Sequence, residues 1–458
     1  MAGRLQEQSK SSAIFRDDKF FLKIINILKI RILATTICNT TNNWSRLIVC
    51  CVTIGRMKRI YQELLDEHLK EFRQMAFLSG PRQVGKTTAS KEASLESSSH
   101  YYFNWDDARQ RALFIKGSEE IAAEAHLDEI KKVLPILVFD EIRKYRFWKR
   151  FLKGFFDLYE KKARIIVTGS ARLDVYKKGG DSLMGRYFLY RIHPLSIREI
   201  IDPSIPELEI RPPQEIHEED YQALLKYGGF PEPYLKRSDT FWNRWKQLRM
   251  DQLFREDIRD LTRIQELGQM RVLAEMLCEQ AAGLVVLSNL ASKIQISHLT
   301  VKRWLDTLSS LYYCFCLQPW TKNIARSLIK EPKVFLWNWA FINNEGARLE
   351  NFVASHLLKA VHFWTDRGFG DYQLYFLRDK DKREVDFLVV KNKKPWFLVE
   401  VKTSGDRSIS KSLYHFQEQT GAPHAFQVSF DLPYVDRDCF QEKGPIIVPA
   451  RTFLSQLI

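Results

Sequence analysis

The chain has 458 residues, which is too long for one hydrophobic core and predicts roughly two to four domains. Its 45% hydrophobic and 28% charged residues are ordinary for a soluble globular protein. The net charge of +14 favours polyanionic partners such as nucleic acid or a membrane surface, although an indifferent cationic surface explains it equally well. The seven cysteines form no CxxC pair, which argues against structural zinc and predicts reduced thiols in the cytoplasm.

The first 56 residues differ in character from the rest. The apolar stretch "FFLKIINILKIRILATTIC" is interrupted by Lys23, Lys29 and Arg31, so it lacks the uncharged run that a spanning helix needs. It also lacks the pattern of a signal peptide. We therefore predict that 1–56 is an extension outside the folded core, disordered or translated from an upstream start, and we expect no membrane association.

The next segment contains a phosphate-binding loop. In "MAFLSGPRQVGKTTASKEA", a short apolar strand is followed by G-x-x-x-x-G-K-T and then by a helix. Backbone N–H groups and the helix N-terminus would bind phosphate, Lys86 would reach the β- and γ-phosphates, and Thr87 would ligate Mg²⁺. The predicted ATP-binding residues are Gly80, Pro81, Arg82, Gln83, Val84, Gly85, Lys86, Thr87 and Thr88.

Two later segments supply the other half of this site. The buried-strand run "LPILVFDEI" ends in Asp140, which could hold Mg²⁺, and Glu141, which could activate the attacking water. Alternatively, the two acids only cap the next helix. Ser170, in "ARIIVTGSAR", could sense the γ-phosphate or the water, or could be a plain helix cap.

Strands predicted at 75–79, 101–104, 136–140 and 164–168 alternate with helical segments. This alternation predicts an α/β fold, a doubly wound parallel sheet with the nucleotide at the carboxyl ends of its strands. We place the ATPase core at 57–190 and a helical lid at 191–260, with "FREDIRDL" as a solvated helix face.

The order of these motifs resembles a family of prokaryotic AAA-type ATPases whose C-terminal half is a domain of unknown function. Besides the phosphate loop, the resemblance rests on "LVFDEI", "TGSARL", "LMGRY", "YGGFPEPYL" and "RSLIKEPKVFLW", and it spans 57–430. It implies that Arg186 completes the ATPase site, either within its own subunit or from a neighbour in a homo-oligomer. A structural role for this arginine is the alternative.

Residues 261–335 read as a winged helix, with a helix, a turn, a second helix and a β wing. Ser297 is expected to cap the second helix, on which the apolar residues Leu299, Trp304, Leu305 and Leu308 share one face. Such a unit can enter a DNA major groove, but it can also serve as a protein–protein spacer.

Residues 336–458 carry an acid, a hairpin and then Glu-x-Lys in "REVDFLVVKNKKPWFLVEVK". Asp386, Glu400 and Glu350 could ligate a divalent cation, while Lys402 could orient or activate water. The pattern resembles the PD-(D/E)xK nucleases, a superfamily in which some members keep the fold without cutting. An ordinary cross-strand charge set would give the same spacing.

Three functions remain open at this stage. The protein could be an ATPase that controls a nuclease-like, DNA-interacting domain, or an ATP-driven switch whose C-terminal domain only binds a partner. It could also be a DNA-binding repressor tuned by ATP. All three require ATP and Mg²⁺.

Overall fold

The computed structural model describes residues 57–94, 98–130, 132–169, 183–259, 264–321, 331–404 and 408–458. The predicted N-terminal extension and the candidate Ser170 lie outside these residues. Lys58–Ile458 forms one compact unit.

The first layer is a parallel sheet with helices on its faces. Its strands are β1 (Met75–Ser79), β2 (His100–Asn104), β3 (Ile136–Asp140), β4 (Arg164–Gly169) and β5 (Tyr187–Arg191), in the order β2-β3-β4-β1-β5. The accompanying helices are α1 (Ile60–Glu71), α2 (Lys86–Glu92), α3 (Ala108–Lys116), α4 (Ser118–Glu124), the 3₁₀ turn Ile142–Lys144 and α5 (Trp148–Tyr159). The doubly wound sheet is confirmed, and β5 adds an edge strand to the four that the sequence predicts.

Helices follow in the middle of the chain. They are α6 (Ile197–Ile201), α7 (Glu218–Tyr227), α8 (Pro231–Lys236), α9 (Asp239–Gln252), the π-helix Leu253–Ile258, α10 (Leu267–Glu279), α11 (Leu287–Ile294) and α12 (His298–Ser310). The antiparallel strands β6 (Cys314–Leu317) and β7 (Lys333–Leu336) come next, so the elements have the order expected for a winged helix. Membership of that class remains a prediction.

Two local predictions in this region are right only in part. In "FREDIRDL" the charged residues Arg255, Glu256 and Arg259 are exposed, as a solvated face requires, whereas Asp257 is buried together with Phe254 and Ile258. On α12 the buried face is formed by Val301, Trp304, Leu305 and Leu308. Leu299, which was predicted to share this face, is 67% exposed. Ser297 does cap this helix, because its side chain accepts a hydrogen bond from the Thr300 N–H.

The C-terminal part contains a second, mixed sheet. After the 3₁₀ turn Trp339–Phe341, its elements are α13 (Glu345–Arg367), β8 (Tyr372–Arg378), β9 (Glu384–Lys391), β10 (Lys394–Lys402), α14 (Lys411–Thr420), β11 (His424–Ser429), the 3₁₀ turn Cys439–Gln441, β12 (Gly444–Pro449) and α15 (Ala450–Ser455). The strands β8, β9 and β10 are antiparallel, while β10, β11 and β12 are parallel. Asn392 and Lys393 both have positive φ, as a tight hairpin between β9 and β10 requires. None of the described helices is both long enough and apolar enough to cross a bilayer.

A buried ion network joins the first layer to α13. The Arg59 guanidinium pairs with Glu199 (Nε to Oε1, 2.7 Å), and Lys359 of α13 pairs with the other oxygen of the same carboxylate. Arg59 also donates to the Val84 carbonyl of the phosphate loop at 2.5 Å. Two cations therefore share one fully buried carboxylate, and their proximity lowers the pKa of Glu199 to about 2 although burial opposes this.

A second set of contacts docks α13 against the end of β5. Arg191 donates to both oxygens of Asp366, with its Nη2 2.5 Å from Oδ1. Beside it, the rings of His193 and His362 hydrogen-bond at 2.8 Å. The C-terminal part is thus fixed to the ATPase sheet by charged and polar groups as well as by apolar packing.

We predict that Glu199→Gln destabilises the protein strongly. The change leaves the Arg59 and Lys359 charges buried without a counter-ion, which costs about 3–5 kcal/mol of the free energy of unfolding. Glu218→Gln is the matched control, because the Glu218 side chain is 59% exposed and pairs with Arg451 at the surface, where such pairs contribute about 1 kcal/mol or less. Denaturant titration measures both variants, and equal stabilities would contradict the network's role.

Candidate functional site

The phosphate loop connects β1 to α2 and depends on glycine at two positions. A Cβ on Gly80 would lie 2.3 Å from the Ile192 carbonyl oxygen, so no side chain fits there. Gly85 has φ +100°, in the left-handed region, and directly precedes α2. The apolar strand brings the loop to the carboxyl edge of the sheet, where the amide groups that begin α2 can face an anion.

Lys86 is buried at the start of α2. Its Nζ donates to the carbonyl oxygens of Gly80 (2.8 Å) and Pro81 (2.6 Å), so the amine lies across the loop. Burial lowers the pKa of Lys86 to about 8, and the carboxylates of Glu141 and Asp140 oppose this shift. The amine is therefore close to both acids that end β3.

Asp140 meets the phosphate loop directly. Thr87 Oγ1 donates to Asp140 Oδ2 at 3.1 Å, and the hydroxyls of Thr168 and Tyr102 also donate to this carboxylate. A hydroxyl and a carboxylate held together beside the loop are the hard oxygen ligands that Mg²⁺ prefers. The residues present therefore fit Mg²⁺, with Thr87 and Asp140 as its protein ligands.

Glu141 follows β3 with φ +53°, an uncommon left-handed conformation for a residue with a side chain. This conformation turns the chain sharply after Asp140 and leads into the 3₁₀ turn. Glu141 is half-buried, and its charge raises the pKa of Lys86 more than the charge of Asp140 does. A carboxylate in this place can orient and activate water next to the phosphates.

The π-helix contributes to the same site. Arg82 of the phosphate loop pairs with Asp257 (Nη2 to Oδ1, 2.5 Å) and with Glu256 (3.3 Å). Arg249 of α9 is buried, its Nη1 has no hydrogen-bond partner among the described residues, and its charge lowers the pKa of Lys86. Arg82 and Lys86 within the loop are thus joined by Arg59 and Arg249 beside it. π-Helical turns, although rare, are often found at functional sites.

Arg186 does not reach the phosphate loop of its own chain. It precedes β5, whose Tyr187 pairs with Met75 at the opposite end of β1 from the loop. Its guanidinium pairs with Asp157 of α5, with Nε 2.7 Å from Oδ1. The prediction that it completes the site within its own subunit is wrong for this reason. The version with a neighbouring subunit and the structural alternative both remain predictions.

The predicted C-terminal acids converge at the β9–β10 hairpin. Asp386 Oδ2 accepts a hydrogen bond from the Val401 N–H at 2.8 Å, and Lys402 Nζ lies 2.8 Å from Glu400 Oε1. An irregularity in the pairing of β8 with β9 falls at Asp386, and such bulges often redirect side chains beside active sites. Glu400 is only 7% exposed, and its Oε2 has no hydrogen-bond partner within the described part of the chain.

Lys333, at the start of β7, projects into this acidic cluster. Its Nζ lies 2.6 Å from Glu384, 3.0 Å from Glu350 and 3.5 Å from Asp386. The side chain of Lys333 is 4% exposed, and the acids raise its pKa, so it remains an ammonium ion. The sequence analysis missed both Lys333 and Glu384.

The cluster combines four carboxyl groups with three cations. Burial and the Asp386 carboxylate raise the pKa of Glu350, while the Lys333 ammonium opposes this shift. The carboxyl groups of Glu350, Glu384, Asp386 and Glu400 lie beside Lys333, Arg378 and Lys402. In the described part of the chain no group of three acidic, histidine or cysteine side chains is found that could hold a metal as it stands, and the cation site expected at Glu350, Asp386 and Glu400 stays a prediction.

Three family models match the chain. An AAA domain matches residues 72–201, and two domains of unknown function, DUF8612 and DUF4143, match 218–346 and 345–449. An uncharacterized protein of Mycobacterium tuberculosis is 23% identical over 360 residues, which are 74% of this chain and 72% of the relative. An uncharacterized protein of Methanocaldococcus jannaschii is 25% identical over 305 residues, covering 60% and 65%.

Among solved structures, the Walker-type ATPase of Pyrococcus abyssi is similar over 57% of this chain and 92% of its own, at 15% identity and a TM-score of 0.35. AMPPCP-bound DnaA from Aquifex aeolicus is similar over 56% and 89%, at 16% identity and a TM-score of 0.29. These global scores are low, so the assignment rests on the sequence match and on the loop geometry. Residues 72–201 match an AAA domain, and within them the predicted phosphate loop lies against the acid that ends β3.

Proposed function

We propose that this protein is a Mg²⁺-dependent ATPase that works as a nucleotide-controlled switch. The observation that carries the proposal is the contact of Thr87 with Asp140, 3.1 Å apart beside the Lys86 amine. These groups come from α2 and β3, which are far apart in sequence, and they supply the oxygen ligands and the cation that a metal-bound triphosphate needs.

Each residue of the loop has a defined role in this proposal. The backbone N–H groups of 82–88 bind phosphate oxygens, and Lys86 exchanges its two carbonyl partners for the β- and γ-phosphates. Glu141 positions the attacking water and accepts its proton. Bound Mg²⁺ supplies charge neutralisation at the phosphates, while Tyr102 and Thr168 keep Asp140 in place through their hydrogen bonds.

The switch acts through the lid. Arg82 is bonded to Asp257 and Glu256 of the π-helix, and Arg249 has a free donor nearby. A triphosphate would compete with these two carboxylates for Arg82 and would attract Arg249. The reason is that the triphosphate carries more negative charge than the carboxylates that it would replace. The nucleotide state would thereby reposition the π-helix and α9.

The change in nucleotide state can also reach the C-terminal domain. Arg59 touches the phosphate loop at Val84 and, through Glu199, holds Lys359 in the middle of α13. A shift of the loop would alter a buried network that tolerates little rearrangement, because each charge depends on the same carboxylate. We therefore place the output of the switch in the domain built on α13 and β8–β12.

We propose that this output is the binding of a partner, with DNA as the candidate suggested by the net charge of +14. Metal-dependent cleavage is the second candidate function. The neighbouring Asp386 and Glu400, with the unpartnered Glu400 Oε2, favour cleavage, whereas the Lys333 ammonium among the acids argues against it. Cleavage of plasmid DNA with Mn²⁺ that disappears in Asp386→Ala would establish the second function.

We predict that Lys86→Ala abolishes ATP binding, because the loop loses the charge that compensates the phosphates. Glu141→Gln should bind ATP with near-normal affinity but hydrolyse it roughly 10²-fold more slowly or worse, since it removes a proton acceptor. Equilibrium binding of a fluorescent ATP analogue and phosphate release measure the two effects. Lys70→Ala and Glu129→Gln, both at exposed positions, are the controls. Normal turnover in Glu141→Gln would assign the water-activating role elsewhere.

We predict that Arg186→Ala lowers hydrolysis by roughly 10³-fold if it serves a neighbouring subunit, as arginines supplied in trans do. The Arg186→Ala subunit keeps an intact phosphate loop and Glu141, whereas the Glu141→Gln subunit keeps Arg186. A mixture of the two should therefore recover activity, because the arginine of a Glu141→Gln subunit can complete the site of an Arg186→Ala subunit. Asp157→Asn, which removes only the ion-pair partner of Arg186, is the control and should stay active. Full activity of Arg186→Ala alone would leave Arg186 with a structural role.

A further inference from the structure

Lys333 reaches the C-terminal acids from a different part of the chain. It belongs to β7, within the region matched by DUF8612, whereas Glu350, Glu384 and Asp386 lie within the DUF4143 match. The ammonium is within 3.5 Å of an oxygen of each of the three acids. An ammonium has three N–H donors, so these three carboxyl groups can use all of its donors.

The backbone around Lys333 is held firmly in this position. At the other end of β7, the Asn351 side chain of α13 bonds both backbone groups of Leu336, at 2.7 and 2.8 Å. The strand β6, paired with β7, continues into Trp320, whose N–H donates to the Phe376 carbonyl of β8 at 2.8 Å. The lysine is therefore delivered by a hairpin that is hydrogen-bonded to the C-terminal domain on both sides.

The Lys333 ammonium occupies the position that a divalent metal ion would need. A divalent ion bound by these acids would have to lie among the same oxygens, at the 2.0–2.6 Å separations of Mg²⁺ and Ca²⁺. Lys333 Nζ lies within that space at hydrogen-bonding distances of 2.6–3.5 Å, so the two cations exclude each other sterically and electrostatically. Removal of one charged partner from such a buried cluster would leave the others uncompensated.

We propose that Lys333 is a built-in counter-ion that takes the place of a divalent metal, so that the nuclease-like acidic cluster is a metal-free structural centre. The proposal concerns the C-terminal cluster and is independent of the ATPase assignment. It predicts that the chain does not cut nucleic acid at this cluster. It also predicts that deletion of the ammonium converts the cluster into a metal site.

The test uses the full chain without nucleotide, and its readout is the melting temperature in EDTA and in a concentration series of Mn²⁺, Mg²⁺ or Ca²⁺. Wild type should show no rise in melting temperature that depends on Asp386. Lys333→Met, which keeps the length of the side chain but not its charge, should melt lower than wild type in EDTA. Added metal should then raise its melting temperature with the logarithm of the metal concentration, as binding to the folded state requires.

Two variants separate this effect from metal binding elsewhere. Lys333→Met/Asp386→Asn should lose the response to metal, because it lacks one of the acids. Lys391→Met should respond to metal no more than wild type does, since Lys391 pairs with Glu209 away from the cluster. A metal response in Lys391→Met equal to that of Lys333→Met would overturn the assignment of the gain to this cluster.

The wild-type chain provides a second, independent arm should Lys333→Met fail to fold. If Mn²⁺ raises the melting temperature of wild type and Asp386→Asn removes the rise, the metal binds beside the lysine and the proposal is wrong. Cleavage of plasmid DNA by wild type that Asp386→Asn abolishes would overturn it equally. Absence of both effects in wild type supports it.

Discussion

The contact between Thr87 and Asp140 is the constraint on which the rest of the structure depends. The two residues are joined because parallel strands end at one edge of the sheet, and because β4 alone separates β1 from β3. Every other group of the ATPase site is placed relative to that edge. Lys86 lies in the loop above it, Glu141 turns away from β3 beside it, and the π-helix closes over it through Arg82.

The C-terminal half depends on the same edge through buried charge. Glu199 lies between Arg59, which touches the phosphate loop, and Lys359, which belongs to α13. Buried ion pairs add little net stability compared with apolar packing, but they require a specific geometry. If one partner is displaced, the other is left as an unpaired charge in a medium of low dielectric constant. Such an arrangement could transmit a movement of the phosphate loop to the C-terminal half.

The sequence predicts the parts of this molecule whose signal is local. The phosphate loop, the strands at 75–79 and 136–140 and the β9–β10 hairpin follow from residues that are close together in the chain. The groups that it does not reveal are charged side chains buried by long-range packing. Arg59 precedes a helix in "MKRIY" and looks like a surface residue, and Asp257 looks like part of a solvated face, yet both contact the phosphate loop.

Lys333 and Arg186 illustrate two further limits. The "EPKVFLW" segment shows a lysine before an apolar run, and only the fold shows that the strand begins inside a cluster of acids from the C-terminal part of the chain. Arg186 has the residue type expected of an ATPase site, but the parallel register of β1 with β5 puts it at the wrong end of the sheet for its own loop. Residue type and order can suggest a role, whereas register and topology decide which site a side chain can reach.

The most direct test of the central claim is a calorimetric titration of ATP with and without Mg²⁺, in wild type and in Asp140→Asn. If Thr87 and Asp140 form the metal side of the triphosphate site, Mg²⁺ should raise the affinity of wild type for ATP and should have little effect on the variant. An equal gain from Mg²⁺ in both proteins, or no binding of ATP by wild type at millimolar concentration, would contradict the account.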